Sequence, residues 1–229
     1  MRKIRTITTV CLLTGLALSG CGRQSQITYE STRLEAMAED LQENAQADSF
    51  AKELCVVTGT EGEADAFVTA EAAAVFGVDT KEVIFQKNPF ERLYPASITK
   101  ILTALIVIEH CNLDDIVTFS HDAIYNVEQG SSSAGLDVGD KMTVRDCLYA
   151  MLLKSANEVA NALAEHTAGS VQNFAVLMNA KAKELGCQES HFNNPSGLND
   201  PQHYTSAYDM ALIAQAAFQN ETFVTIDSS

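Results

Sequence analysis

The stretch Tyr94-Pro95-Ala96-Ser97-Ile98-Thr99-Lys100-Ile101-Leu102-Thr103-Ala104-Leu105-Ile106-Val107-Ile108 decides how the chain is read. Ile98, Ile101, Leu102, Leu105 and Ile108 recur at helical spacing after Pro95, which predicts a helix with those residues on one face. Ser97 and Lys100 are three residues apart, so a hydroxyl and an amine share a helix face about one turn apart. In the first turn the serine lies at the positive end of the helix dipole, where developing negative charge is favoured. A lysine there can take the serine's proton once burial or a neighbouring cation lowers its pKa. The spacing alone is not specific. Ser49-Phe50-Ala51-Lys52 repeats it inside an acidic stretch whose carboxylates would keep the lysine protonated, and it is read as a decoy.

Outward from this segment, Ala74–Val78 and Glu82–Gln86 flank Asp79-Thr80-Lys81 and predict a β-hairpin. Downstream the pattern is helical. Thr143 opens a helix through Met151, Asn157 to His166 forms another, and Ser170 caps a third that stops at Gly186. A fourth starts at Thr205 or Ser206, with Met210, Ile213 and Ala217 facing inward. Two strands make no stable sheet alone, so further strands are expected, although none is visible before Ser229. Ser155-Ala156-Asn157, the only S-x-N, falls between two of these helices. A serine there can relay a proton to a leaving amine, and an asparagine amide can grip a substrate amide. The plainer reading, that Ser155 ends one helix and Asn157 starts the next, is compatible with it.

The 229 residues carry 15 Lys and Arg against 30 Asp and Glu, a formal charge of −15, which excludes the basic footprint that nucleic-acid binding needs. Length allows one ordinary domain plus an N-terminal extension. Met1–Arg5 is basic and Ile7–Leu18 is mostly apolar, the pattern of a secretory signal too short for a membrane span. The run ends in Leu18-Ser19-Gly20-Cys21, which is similar to the lipobox of bacterial lipoproteins. That resemblance implies a signal at 1–20, a lipidated Cys21, and a protein tethered outside the cytoplasmic membrane by its acyl chains. Residues 21–65 then read as an acidic stalk, and 66–229 as the domain. The remaining cysteines, Cys55, Cys111, Cys147 and Cys187, contain no C-x-x-C, and small buried apolar residues describe them better than a zinc site.

The segment Tyr94–Ala104 resembles the nucleophile region of D-alanyl-D-alanine carboxypeptidases, the low-molecular-mass penicillin-binding proteins related to serine β-lactamases. The resemblance continues through Gly130-Ser131-Ser132-Ser133-Ala134-Gly135-Leu136, Leu152–Asn157, His191-Phe192-Asn193-Asn194-Pro195-Ser196-Gly197-Leu198 and Tyr204–Met210. It implies an α+β fold in which an antiparallel sheet packs with helices beside a helical subdomain. It also implies that Ser97 attacks the penultimate D-Ala carbonyl of a peptidoglycan stem peptide, with Lys100 as general base. Ser155 would help protonate the departing D-Ala, Asn157 would position the substrate, and a β-lactam would acylate the same serine. No cofactor or metal is implied.

The family's third element, K-T-G or H-T-G, is absent: Val57-Thr58-Gly59 lacks the cation, and His166-Thr167-Ala168-Gly169 is one residue too long. The expectation is a catalytic domain without its C-terminal strands, nearly inactive alone, because one oxyanion donor would be lost at a cost of about 2.7–4 kcal/mol. A class A β-lactamase would need a glutamate on the loop after S-x-N, where Asn193–Asp200 instead follows the carboxypeptidase pattern. A zinc peptidase would need paired ligands that the five histidines do not form; most of these read as surface or cap residues. A non-catalytic wall-peptide-binding lipoprotein draws its support from the missing third element. Penicillin labelling separates it from the enzyme.

Overall fold

The structure, a computed structural model, describes residues 68–77 and 82–229. The signal-like segment, Cys21, the stalk, the Ser49–Lys52 decoy, Cys55 and the hairpin turn at 79–81 lie outside the described residues. What is described is α+β. Strands β1 (Ala73–Gly77) and β2 (Glu82–Lys87) form the expected antiparallel hairpin, with a bulge where the Val75–Phe85 pair gives way to Phe76–Val83. Phe76 and Phe90 hold it down by packing on Tyr208 at 5.9 and 5.1 Å between ring centroids.

A 3-10 turn at Ala96–Ile98 leads into helix α1 (Thr99–His110). Next come β3 (Ile116–Thr118), α2 (His121–Tyr125), β4 (Lys141–Thr143) and α3 (Val144–Lys154). Helices α4 (Asn157–Ala168), α5 (Val171–Glu184), α6 (Ala207–Phe218) and α7 (Glu221–Asp227) complete the described chain. The cap signals are met: Thr143, Ser170 and Ser206 each accept a backbone N–H from the first turn of the helix they precede.

Helix α1 is the hub, in contact with α3, α4, α5, α6 and α7. Its environment corrects the single-face reading. Ile98 sits in the 3-10 turn, 49% exposed, and Ile101 and Ile108 are only partly buried. Leu102 and Leu105 are buried as expected, but so are Thr99, Lys100, Thr103 and Ala104, because a helix surrounded on nearly all sides has no solvent face for polar residues. Leu102 and Ile106 join Leu148, Met151, Leu163, Phe174 and Leu177 in one core. Among the described residues no further strand joins this hairpin; two strands not foreseen from the sequence form a separate ribbon instead, β3 against β4, pairing Ile116 with Thr143 and Thr118 with Lys141. At three residues each they are too short for a period-two pattern to register.

Leu163 is fully buried on α4, the helix whose first residue is Asn157. Leu163→Ala is expected to destabilise the fold by about 2–5 kcal/mol, read as a lower denaturant midpoint at unchanged slope.

Candidate active site

The nucleophile candidate sits on a strained turn. Ala96, the residue before Ser97, has φ +51°, a left-handed conformation that costs a non-glycine residue roughly 1–2 kcal/mol. This turn delivers Ser97 to the surface of a cleft of about 430 Å³, walled in part by Tyr94, Ser131, Asn157 and Gly197. One turn further, the Lys100 side chain points into the protein and is only 2% exposed.

The lysine amine has three hydrogen-bond acceptors around it. Its Nζ donates to Asn157 Oδ1 at 2.7 Å, to the Ser196 carbonyl at 2.7 Å and to Ser97 Oγ at 3.3 Å. The two short bonds go to groups that can only accept here; the long one goes to a hydroxyl that carries a proton of its own. A neutral amine has two N–H bonds and one lone pair. With the N–H bonds spent on Asn157 and Ser196, the lone pair faces Ser97. Burial pushes the Lys100 pKa down from 10.5 to about 8, while the Glu158 carboxylate draws it part of the way back up. At pH 7 roughly one Lys100 in ten is then the free base, against about three in ten thousand for an ordinary lysine.

Ser155 reaches Ser97 from the other side, its Oγ donating across 3.0 Å. It closes α3 in the left-handed conformation, φ +58°, and this lets the chain reverse so that Asn157 opens α4 beside Lys100. Ser97, Lys100, Ser155 and Asn157 are thus gathered in one place. Cys147 is buried and Cys187 partly so; both are thiols, with Cys147 pushed up to about 12 and Cys187 also raised well above the ordinary thiol range, chiefly by burial. Among the described residues no group of three His, Cys, Asp or Glu side chains could hold a metal ion.

Four further positions, Ser196, Gly197, Glu158 and His203, with Asn194 supporting the first two, build the site, and sequence reasoning gave none of them a role. Ser196 contributes a backbone carbonyl, which no side-chain pattern announces. Its loop is shaped by Asn194, whose Oδ1 accepts from Ser196 N, Ser196 Oγ and Gly197 N. Gly197 has φ +81°, and a Cβ there would lie 1.8 Å from the Ala96 carbonyl oxygen, so only glycine lets this loop press against the nucleophile turn. Glu158, 2% exposed, gathers the segment that follows the Gly130–Ser132 wall of the cleft. Its Oε1 accepts from Ser133 Oγ, Ala134 N and Gly135 N at 2.8, 2.6 and 3.2 Å.

The fourth is His203, read from sequence as a surface or cap residue but 1% exposed, beside Thr99 at 2.9 Å. Burial lowers its pKa from 6.5 to about 4, with Asp200 opposing and His191 adding to the shift. A signal existed in that His203 precedes the quoted Tyr204–Met210 segment, but a lone histidine carries no spacing to interpret.

A family model described as D-alanyl-D-alanine carboxypeptidase matches residues 59–227. The chain is similar to the D-alanyl-D-alanine carboxypeptidase DacF of Bacillus subtilis, 39% identical over 159 residues. That match takes in 67% of this chain and 40% of the relative, so the chain spans well under half of the length of that protein. Among solved structures, DacD of Francisella tularensis superposes with a TM-score of 0.66 at 33% identity, covering 72% of this chain and 41% of that one. Penicillin-binding protein 5 of Haemophilus influenzae gives 0.64 at 31% identity, covering 69% and 47%.

The contact between Gly197 and Ala96 yields a sharp expectation. Gly197→Ala must displace the loop or the turn, because both bodies in the clash are backbone. Overpacking of this kind costs about 1–3 kcal/mol, to which the left-handed φ adds about 1. The expected result is a lower melting temperature together with a Lys100 ¹⁵Nζ resonance shifted by loss of the Ser196 carbonyl.

Proposed function

For this chain, which belongs to the D-alanyl-D-alanine carboxypeptidase family, we propose a serine hydrolase that removes the terminal D-Ala from peptidoglycan stem peptides. The observation that carries the reading is the placement of Lys100 Nζ. Two of its three hydrogen-bonding directions are fixed on Asn157 and Ser196, and the third is aimed at Ser97 Oγ.

In the proposed cycle Lys100 takes the Ser97 proton as Oγ bonds to the carbonyl carbon of the penultimate D-Ala. Collapse of the tetrahedral intermediate breaks the peptide bond. Ser155, within 3.0 Å of Ser97 Oγ, passes its hydroxyl proton to the departing amine of the terminal D-Ala and regains one from protonated Lys100, which is left neutral for the second half of the cycle. Asn157 has its Oδ1 committed to Lys100, so its amide N–H₂ is the part that can hold the substrate backbone. Water then attacks the ester carbonyl, giving one proton to Lys100, which returns it to Ser97 Oγ as the ester bond breaks, so that the shortened peptide leaves and Ser97 is restored. A β-lactam enters the same sequence, but its leaving nitrogen stays tethered to the acyl group, so the serine remains blocked.

The same proposal places the domain, from about residue 66, outside the cytoplasmic membrane on the acidic stalk 21–65, tethered by lipid on Cys21 after loss of residues 1–20. Its support is the basic, then apolar, then Leu18-Ser19-Gly20-Cys21 sequence. No helix among the described residues is long and apolar enough to cross a membrane.

Intact mass after incubation with penicillin tests the chemistry. One penicilloyl group is expected per chain, formed slowly without the K-T-G element and absent from Ser97→Ala; an unmodified parent, or a labelled Ser97→Ala, overturns the assignment of this activity to residues 1–229. The pH dependence carries a sign. The reactive form has neutral Lys100, so the acylation rate should climb about tenfold per pH unit below 8 and level off above it. A rate that falls as pH rises through 8 would exclude Lys100 as the base.

A further inference from the structure

The hydrogen-bond directions around His203 fix its protonation. The backbone N–H of Asn193 donates to Nδ1 at 3.1 Å, so Nδ1 carries no hydrogen and must be the acceptor. The proton of the neutral ring is therefore on Nε2, which lies 2.9 Å from Thr99 Oγ1 and donates to it. Thr99 stands between Ser97 and Lys100 in the chain, in the first turn of α1. Asn193 immediately precedes the loop whose Ser196 carbonyl receives Lys100. The imidazole thus bridges the same two bodies that the Lys100–Ser196 bond joins, the nucleophile turn and the Asn194–Leu198 loop.

The ring itself is firmly mounted. Its edge packs on Phe192 with centroids 5.4 Å apart, and the His203 N–H donates to the Asp200 carbonyl at 3.0 Å. The next two residues are tied by reciprocal backbone pairs, Tyr204 to His191 and Thr205 to Leu93. Leu93 precedes Tyr94-Pro95, so the chain entering the nucleophile turn is anchored to the segment that carries the imidazole.

Thr103 repeats the link one turn further along α1, donating to the Pro195 carbonyl at 2.7 Å. Gly197 leaves no slack, since even a methyl group there would collide with the Ala96 carbonyl and approach Thr99 Oγ1 to 2.9 Å.

We propose that His203 is a positioning residue for this site, a neutral Nε2–H donor that locks Thr99, and with it Ser97 and Lys100, against the Asn194–Leu198 loop. For the reaction the inference rests on the carboxypeptidase reading; for the geometry of Lys100 it does not. Without the imidazole, the first turn of α1 and the loop can slip past one another, water can reach Lys100, and the amine moves back towards an ordinary lysine. The buried, neutral state of the ring suits the role, as a charged imidazole would have no lone pair for Asn193 N–H.

The test uses the full chain with His203→Leu, His203→Gln and Thr99→Val, read in three ways. Long-range ¹H–¹⁵N correlation in the parent is expected to show His203 as the Nε2–H tautomer; an Nδ1–H tautomer overturns the proposal. Titration of the Lys100 side-chain ¹³Cε signal, which needs no substrate, should move up from about 8 in His203→Leu and in Thr99→Val. Penicillin acylation per folded molecule should slow roughly 10- to 100-fold in both, with the double variant no slower than either single one. His203→Gln, whose amide N–H can replace Nε2–H, should recover most of that loss. A lower melting temperature with the Lys100 titration and acylation rate unchanged would make His203 a core residue only and overturn the proposal. A shifted Lys100 titration in a parent that takes no penicillin would sustain the positioning role while removing the carboxypeptidase reading. Thr99→Val is close in shape to the parent side chain, so it keeps the question answerable if His203→Leu does not fold.

Discussion

A buried ammonium must give each of its hydrogens to an acceptor or lose its charge, and around Lys100 the chain supplies two strong acceptors and one weak one. That inequality matters more than the count. A third strong acceptor would hold the proton on the amine and take away the base proposed for Ser97. With only one, the neutral amine would rotate and its lone pair would have no fixed direction. Asn157 comes from the start of α4, and the Ser196 carbonyl from the loop before α6. The long-range architecture that packs α1 against α4 and α6 is therefore also what aims one lone pair.

Backbone conformation contributes to the same end. Ala96 and Ser155 both hold left-handed φ values without being glycine; one directly precedes Ser97 and the other donates a hydrogen bond to it. Such strain persists only where surrounding contacts over-determine it. Here the contacts are identifiable. The Ala96 carbonyl is backed by Gly197, and Ser155 is bracketed by α3, whose Ala150 carbonyl accepts from the Ser155 N–H, and by α4. Placing strain at two turns brings both hydroxyls out of regular helix, where an oxygen on a helix face would have stayed about a turn away.

How legible all this was from the sequence follows from which atoms carry it. Caps and amphipathic helices involve side chains interacting within a few residues, so Thr143, Ser170 and Ser206 could be placed from their neighbours. Ser97, Lys100, Ser155 and Asn157 could be nominated because each has a side chain suited to a chemical task. The Ser196 carbonyl could not, since every residue has one. Gly197 shows its reason only when Ala96, a hundred residues away in sequence, is seen lying on it. The apolar stripe on α1 misled for a related reason. Periodicity assumes a solvent face, whereas the polar face of α1 is turned into the protein, with Thr99, Lys100 and Thr103 bonding to His203, Ser196 and Pro195.

Glu158 shows how one residue can serve structure and electrostatics together. Its carboxylate is buried and accepts three hydrogen bonds from Ser133, Ala134 and Gly135, which fixes the segment following the Gly130–Ser132 wall of the cleft. A neutral glutamine could make some of those bonds, but it would not oppose the effect of burial on Lys100. Burial alone would drive the amine to a lower pKa, giving more free base at neutral pH but a weaker one. General-base catalysis is most efficient when the pKa lies near the working pH, because protonation state and basicity trade against each other. A buried anion one residue from Asn157 moves Lys100 towards that balance. The carboxylate that gathers Ser133–Gly135 therefore also keeps the amine basic enough for the role proposed for it.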